Sequence, residues 1–347
     1  MTAHVHIEQV EASDLDDRRI RALAGLLSVA SSERLDGDPP ISPAQLALDE
    51  RIAPPWLRHT HALAWDETGT LLASAFLELE DRADNRHLAW FEVFASPGAR
   101  RRGHGSVVLA TLLPVALDDG RTVAMGGARE GGPGSAFAAA IGLEVGQLEH
   151  SNRARTADMP RDVLRSWVAE ASTAAPGYSL LSVDGPFPDD LLEPYSRLAL
   201  VMNDAPRDDL QMEDFDYSAD QLRSLQLAAE QRGTKRWTVI ARHDPTGELV
   251  GLTELHIKQH DRWLAHQGDT GVVAAHRGHG LGRWLKATNA LRLLDEHPEV
   301  ETVQTWNAST NPHMLAINHE MGFRAAWVQE LVQSPIEPLV ERLLTRP

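Results

Sequence analysis

One short phrase occurs twice in this chain. Arg100-Arg101-Arg102-Gly103-His104-Gly105 returns 177 residues later as Arg277-Gly278-His279-Gly280-Leu281-Gly282, and both copies read Arg-x-x-Gly-x-Gly. Each follows an apolar, strand-like run (residues 90–95 and 271–275) and opens a segment of helical period. A strand, a glycine-rich turn and a helix N-terminus together make an anion site. Backbone N–H groups converge there, the helix dipole adds partial positive charge, and glycine lets a phosphate approach the main chain. Two copies at near half-length spacing predict two domains of one kind, and 347 residues exceed what one core usually serves.

Composition narrows the function classes. Apolar residues at 42% and charged residues at 24% are those of a soluble globular protein. No run approaches the roughly 18 apolar residues of a membrane span, so no membrane association is expected. Met1-Thr-Ala-His-Val-His lacks a basic region leading into an apolar stretch, and cytoplasmic residence is the expectation. Zero cysteines leave no disulfide, no thiolate metal site and no thiol nucleophile. The formal charge of −17 disfavours nucleic acid, whose phosphates are bound through Lys and Arg, and suits cationic partners, amines included.

Period and turn chemistry give each half the order β-α-α-β-β-β-α-β-α-β. In the first half the strands are expected at His4–Val10, 60–65, Leu71–Glu80, 87–95, 121–125 and from 143. Helices are expected at 15–29, from Ser42-Pro43, at 106–117 and at 135–140. In the second half strands are expected at 178–183, 237–242, 248–257, 265–275, 300–306 and from Phe323, with helices at 191–201, 219–231, 282–294 and 312–320. Ala171-Ser-Thr-Ala-Ala-Pro-Gly177 offers little to bury and reads as the linker between domains 1–170 and 178–347.

This order, with Arg-x-x-Gly-x-Gly between the fourth strand and third helix, resembles the GNAT superfamily of acyl-CoA-dependent N-acyltransferases. The second half adds Asn307 and then Asn311-Pro-His-Met314-Leu-Ala-Ile-Asn318-His-Glu-Met321-Gly322-Phe323, similar to the family's Asn-x-x-Ala-x-x-x-Tyr-x-x-Leu-Gly-Phe element. Met314 takes the Ala position and Asn318 the Tyr position. The first half departs further: its closing element is Phe137-Ala-Ala-Ala-Ile141-Gly142-Leu143, Ala138 stands at the Tyr position, and Gly131-Gly132-Pro133-Gly134 precede it where Asn should be. The resemblance covers nearly the whole chain. It implies an α+β protein of two tandem GNAT domains, each a mixed, mostly antiparallel sheet flanked by helices, with a degenerate first copy. That arrangement is similar to mycothiol synthase and other actinobacterial tandem acyltransferases.

The resemblance also implies site roles. Gly278, His279, Gly280, Leu281, Gly282 and Arg283 would cradle the pyrophosphate of acetyl-CoA or another acyl-CoA, with Arg277 and Arg283 adding charge. Val272, Val273 and Ala274 lie where the family's fourth strand splays and offers backbone groups to pantetheine and the acyl carbonyl; an N–H near Gly271 or Val272 would polarise the thioester. Asn311 matches a coenzyme-contacting Asn, and Asn307 at the strand end is similar. In the first copy Arg101, Arg102, Gly103, His104, Gly105 and Ser106 form the equivalent loop. The family's strand base maps to His266, with Asp269 and Glu254 as alternatives. Asn318 cannot be the family's acid, because an amide has no dissociable proton near neutral pH; it retains a hydrogen-bonding role.

Without cysteine, direct attack by the amine in a ternary complex is favoured over an acyl-enzyme. No metal is expected, since His256 and His260 lack a matched carboxylate set. The leading reading is N-acetyl transfer to a primary amine of a small molecule, catalysed in the second half by a monomer or homodimer. A non-catalytic acyl-CoA sensor and a protein lysine or N-terminal acetyltransferase remain open alternatives.

Overall fold

The computed structural model describes residues 5–345. The first half runs β1 (His6–Glu11), α1 (Asp17–Arg34), α2 (Pro43–Arg51), β2 (Leu57–Trp65), β3 (Leu71–Glu80), β4 (Leu88–Ala95), α3 (His104–Asp118), β5 (Val123–Arg129), α4 (Pro133–Ala140) and β6 (Glu144–Arg155). After α5 (Arg161–Ala174) the order repeats as β7 (Tyr178–Asp184), α6 (Asp189–Ala199), α7 (Ala219–Gln231), β8 (Thr234–His243), β9 (Leu249–Lys258), β10 (Leu264–Val272), α8 (Leu281–Glu296), β11 (Thr302–Ala308), α9 (Pro312–Glu320) and β12 (Arg324–Pro335), and α10 (Ile336–Leu344) follows. The expected order holds in both halves. Of the first expected strand, His4 lies outside the described residues. No helix among the described residues is long and apolar enough to cross a membrane.

The chain forms two compact units. Unit 1 takes the described residues up to Glu149, Arg207–Glu213 and those from Trp327 onward; unit 2 takes His150–Pro206 and Asp214–Ala326. This division differs from the expected one at 171–177. Ala171 and Ala175 are buried, and α5 continues to Ala174, because alanine is a strong helix former as well as a small residue. The change of unit instead falls inside β6. Asn152 donates to Asn307 (3.3 Å), Arg153 to Gln304 (2.8 Å), and Thr156 N–H to the Glu301 carbonyl (3.0 Å), all within unit 2. The C-terminal strand conversely belongs to unit 1, where Gln329 to Pro335 pair antiparallel with Arg129 to Val123.

Unit 1 therefore orders its strands β1-β2-β3-β4-β5-β12, and unit 2 orders its strands β6-β11-β10-β9-β8-β7. In each, one pair is parallel, β4 with β5 and β10 with β11, while the other registers given by the ladders are antiparallel. Period-2 alternation sends side chains to two faces, and each face has its own helices. In unit 1 Val108, Leu109, Leu112 and Leu113 of α3 pack on alanines of β2 and β3, with Leu339 of α10 in the same core. On the other face Leu23 and Leu26 of α1 meet Leu63 and Leu71. Unit 2 repeats the plan: α8 and α5 cover Trp237, Leu255 and Ile257, while α6 and α7 cover Ile240 and Leu252. Each such leucine contributes about 1.5–3 kcal/mol on burial.

Candidate acyl-coenzyme site in unit 2

Two local features of β10 shape this site. Its parallel pairing with β11 stops after Leu264, Ala265 and His266, which face Thr302, Val303 and Gln304. Beyond that point β10 remains paired with β9 alone, so one edge of its backbone opens away from β11. The ladder with β9 also slips by one residue between Gln267 and Thr270, a β-bulge that re-aims the residues inside it. Unit 1 shows the same opening, its β4–β5 pairing ending at Phe91↔Gly126.

The glycine turn follows at once. Gly278 and Gly280 both have positive φ (84° and 72°), and no atom would meet a Cβ at either. Left-handed backbone is what demands glycine here. The Trp284 N–H makes the first helical bond, to the Gly280 carbonyl at 3.1 Å. The N–H groups of Leu281, Gly282 and Arg283 therefore leave the helix end without intrahelical acceptors, as an anion requires.

The expected backbone segment is partly committed. Val273 N–H donates to the Val250 carbonyl (2.8 Å), and the Val272 carbonyl accepts from Arg277 Nε (2.9 Å). The Ala274 carbonyl accepts from the Arg277 N–H at 3.3 Å. Because successive peptides of a strand alternate, it is the Val272 N–H that turns to the open edge. Both loop arginines already hold carboxylates: Arg277 pairs with Asp204, and Arg283 with Glu320 (2.7 Å) while lying over the Trp167 ring. All four ion-pair partners are about half exposed. Such pairs contribute under about 1 kcal/mol and exchange readily for a phosphate. His279 folds back, Nδ1 lying 3.1 Å from the Arg277 carbonyl.

The asparagines are hydrogen-bonded within the unit. Asn311 is the N-cap of α9, accepting from Met314 N–H at 3.2 Å. Asn307 Oδ1 accepts from Asn318 Nδ2 (2.7 Å) and from Asn152 Nδ2. Asn318 is 1% exposed, and its Oδ1 has no hydrogen-bond partner among the described residues. These side chains bond one another and the backbone of α9.

The titratable candidates gather on the sheet face covered by α6 and α7. Register places Arg236 opposite His256, His256 opposite His266, and Thr238 opposite Glu254. His266 stacks on His256, centroids 5.0 Å apart. Burial, aided by Arg236, holds His256 at about 4, so it is neutral at pH 7. Glu254 accepts from the Tyr195 hydroxyl and pairs with Arg236, so both partners hold its carboxyl in place. Burial and the Glu254 charge keep Tyr195 protonated well above its usual range. Asp269 occupies the bulge. The residue as a whole is exposed, while loss of water around the carboxyl is the largest influence on it. That lost hydration, together with Glu254, lifts it to about 6 while Arg236 pulls the other way. Tyr195 and Arg236 were not foreseen. Their signal was faint: a buried-face tyrosine beside Leu192 and Leu198 on α6, and a charged residue two positions before Thr238 on the helix-covered face of β8.

In both units the strands open at a parallel pair and lead into a left-handed glycine N-cap (Gly103 and Gly280), which decides the architecture. The chain is a tandem GNAT-fold protein. Residues 200–323 match the acetyltransferase (GNAT) family. No curated protein matches the sequence significantly. Among solved structures, a tandem GNAT protein from the clavulanic acid biosynthesis pathway is 24% identical, with 96% of this chain and 99% of that one aligned at a TM-score of 0.77. A GCN5-related N-acetyltransferase from Sphaerobacter thermophilus is 13% identical over 95% and 96% of the two chains, TM-score 0.66. A glucosamine N-acetyltransferase region of a fungal multi-domain β-N-acetylglucosaminidase is 14% identical, covering 96% of this chain and 38% of that chain, TM-score 0.62. At these identities the likeness establishes the GNAT fold.

Proposed function

We propose that this GNAT protein is an acyl-CoA-dependent N-acyltransferase, that acetyl-CoA is its donor, and that the acceptor is a primary amine of a small molecule, with the chemistry in unit 2. The observation that carries the reading is Asp269, a carboxylate poised near 6 in a β-bulge, three residues from the Val272 N–H and eight from the glycine turn. The open N–H groups of residues 281–283 and the clear space over Gly278 and Gly280 suit a diphosphate. The acyl-CoA supplies an activated thioester.

The residues of the chain then divide the remaining work. The Val272 N–H donates to the acyl oxygen as charge develops on it. Glu254, held by Arg236 and Tyr195, supplies negative potential that favours an ammonium on this face. Asp269 takes the ammonium proton, directly or through one water, which frees the nitrogen lone pair. No tyrosine stands at the place of Asn318, so the thiolate leaves without a side-chain proton or takes one from water.

Free thiol release from acetyl-CoA, followed against an amine panel, tests this. The expected result is amine-dependent thiol release matched by an acetyl mass gain on the acceptor, abolished by Gly280→Asp. Coenzyme uptake by calorimetry without transfer to any small amine or lysine peptide would favour a sensor. Absence of uptake would overturn both readings.

A further inference from the structure

Three donor side chains, distant in sequence, meet beside the glycine turn of unit 2. His243 ends β8, Glu248 precedes β9 across the Asp244-Pro245-Thr246-Gly247 turn, and His276 is the residue before Arg277. One ligand atom of each lies within 4.8 Å of the other two. The two imidazoles, both half-buried, are 5.0 Å apart between centroids.

Their outer hydrogen bonds are what a metal ligand needs. His243 Nδ1 lies 2.9 Å from Thr246 Oγ1, and that hydroxyl donates onward to the Glu248 carboxylate at 3.1 Å. The hydroxyl proton is thus spent on Glu248, so His243 is the donor at Nδ1 and keeps a lone pair at Nε2. His276 Nδ1 is 2.9 Å from the Tyr178 hydroxyl, which leaves its Nε2 without a hydrogen-bond partner among the described residues. The Tyr178 ring also packs against both imidazoles, at 5.2 and 5.7 Å, and fixes their planes. A polar partner on the far nitrogen that sets tautomer and ring orientation is the usual support of a metal-bound histidine.

We propose that His243, Glu248 and His276 form a site for a divalent transition metal of the zinc class, with water or an exchangeable ligand in the fourth position. Two imidazoles and one carboxylate are a recognised zinc donor set, and tetrahedral bonds of about 2.0 Å put donor atoms about 3.3 Å apart. The exposed Glu248 swings to close the remaining gap. The ion links the ends of β8 and β9 to the residue preceding Arg277, so its occupancy steadies the start of the coenzyme loop.

Titration of tag-free protein with cobalt(II) tests the site, zinc being used to displace it. The expected outcome is one equivalent bound, with the intense visible absorption of tetrahedral cobalt, lost on zinc addition. Glu248→Gln lies on an exposed turn and leaves the fold intact; it should weaken binding at least tenfold. Tyr178→Phe, which keeps the ring but removes the hydroxyl, should weaken it about tenfold. A thermal midpoint that rises with zinc in the parent and not in His276→Gln would agree. Weak octahedral cobalt absorption, or identical affinity in the parent and Glu248→Gln, would overturn the proposal and leave only scattered surface histidines.

Discussion

Unit 1 and unit 2 hold the same glycine turn on different supports. In both, the arginine that opens the motif reaches back to a carbonyl five residues earlier, Arg100 Nε to Ala95 (3.1 Å) and Arg277 Nε to Val272 (2.9 Å), and each also grips a carboxylate, Glu33 or Asp204. The second motif residue is left-handed in both copies, but unit 1 puts Arg101 there (φ 62°) and unit 2 puts Gly278 (φ 84°). The turn's shape has thus outlasted its ideal residue. The helix behind it has diverged more. At the positions of Leu109 and Leu112, both fully buried in unit 1, unit 2 buries Lys286 and Asn289. Nor is unit 1 stripped of polar groups. A cavity of about 280 Å3 is lined there by Glu50, Glu78, Glu92 and aromatic rings. Glu92 holds the place 177 residues before Asp269, its carboxyl raised by burial and partly offset by Arg34. What separates the units is therefore the surroundings of a shared backbone.

The largest expected effect breaks the functional side of that comparison. Asp269→Asn should lower kcat/KM by about 10²–10⁴, the range of a lost general base, with coenzyme affinity unchanged. Glu92→Gln should leave transfer within about twofold. In the parent protein Asp269 must be ionised to accept a proton. Activity should therefore hold above pH 6 and fall about tenfold per unit below it, a limb that Asp269→Asn removes. Equal losses in the two variants would put chemistry in both units.

Lys286 probes the helix difference through stability. It is 1% exposed, its ammonium lies 6.0 Å from the Phe323 ring and forms no ion pair among the described residues, and burial lowers it from 10.5 to about 7. Between those values the unfolded chain carries a proton that the folded chain does not. The cost of burying Lys286 therefore grows as pH falls from 10.5 to 7 and is constant below 7. Lys286→Leu should raise urea stability at pH 7 by on the order of 3 kcal/mol, a gain that vanishes near pH 10.5. The reverse exchange, Leu109→Lys, should cost unit 1 a similar amount.

How far these contrasts could be read beforehand depends on the range of the interactions involved. Hairpins, helix starts and the glycine turn rest on neighbours in sequence, so Leu71–Glu80, Ala219–Gln231 and Pro312–Glu320 appear at their expected bounds. α5 and α10 were missed, although Leu164 with Trp167 and Ile336 with Leu339 are spaced for one buried helix face. The change of unit within β6 depends on which strands its two ends pair with, and a single sequence holds no sign of that. Asp269 was readable as a residue near the turn, but its elevation depends on burial and on Glu254 from β9, against the pull of Arg236 from β8. Asn311 stands at the start of α9, where the first turn needs an acceptor for the Met314 N–H, and that local role is legible from its place before Pro312.

The smallest expected effect tests whether the turn's shape or its residue matters. A side chain in left-handed backbone costs roughly 1 kcal/mol where nothing else intervenes. Neither Gly278 nor its neighbour Gly280 has an atom that a Cβ would strike, so the cost of Gly278→Ala should come from φ alone, about 1 kcal/mol in unfolding free energy. Arg101 already bears that strain in unit 1 and is exposed, with no partner among the described residues. Arg101→Gly should therefore be neutral or stabilising by up to about 1 kcal/mol, despite the extra freedom it gives the unfolded chain. Coenzyme uptake separates the two roles of this position. If the backbone alone cradles the diphosphate, Gly278→Ala leaves calorimetric affinity within about threefold, and Gly278→Arg, which copies unit 1, gains affinity from the added charge. A loss of uptake in both would mean that the turn of unit 2 must stay free of side chains for the coenzyme to enter, and that unit 1, with Arg101 in place, is closed to it.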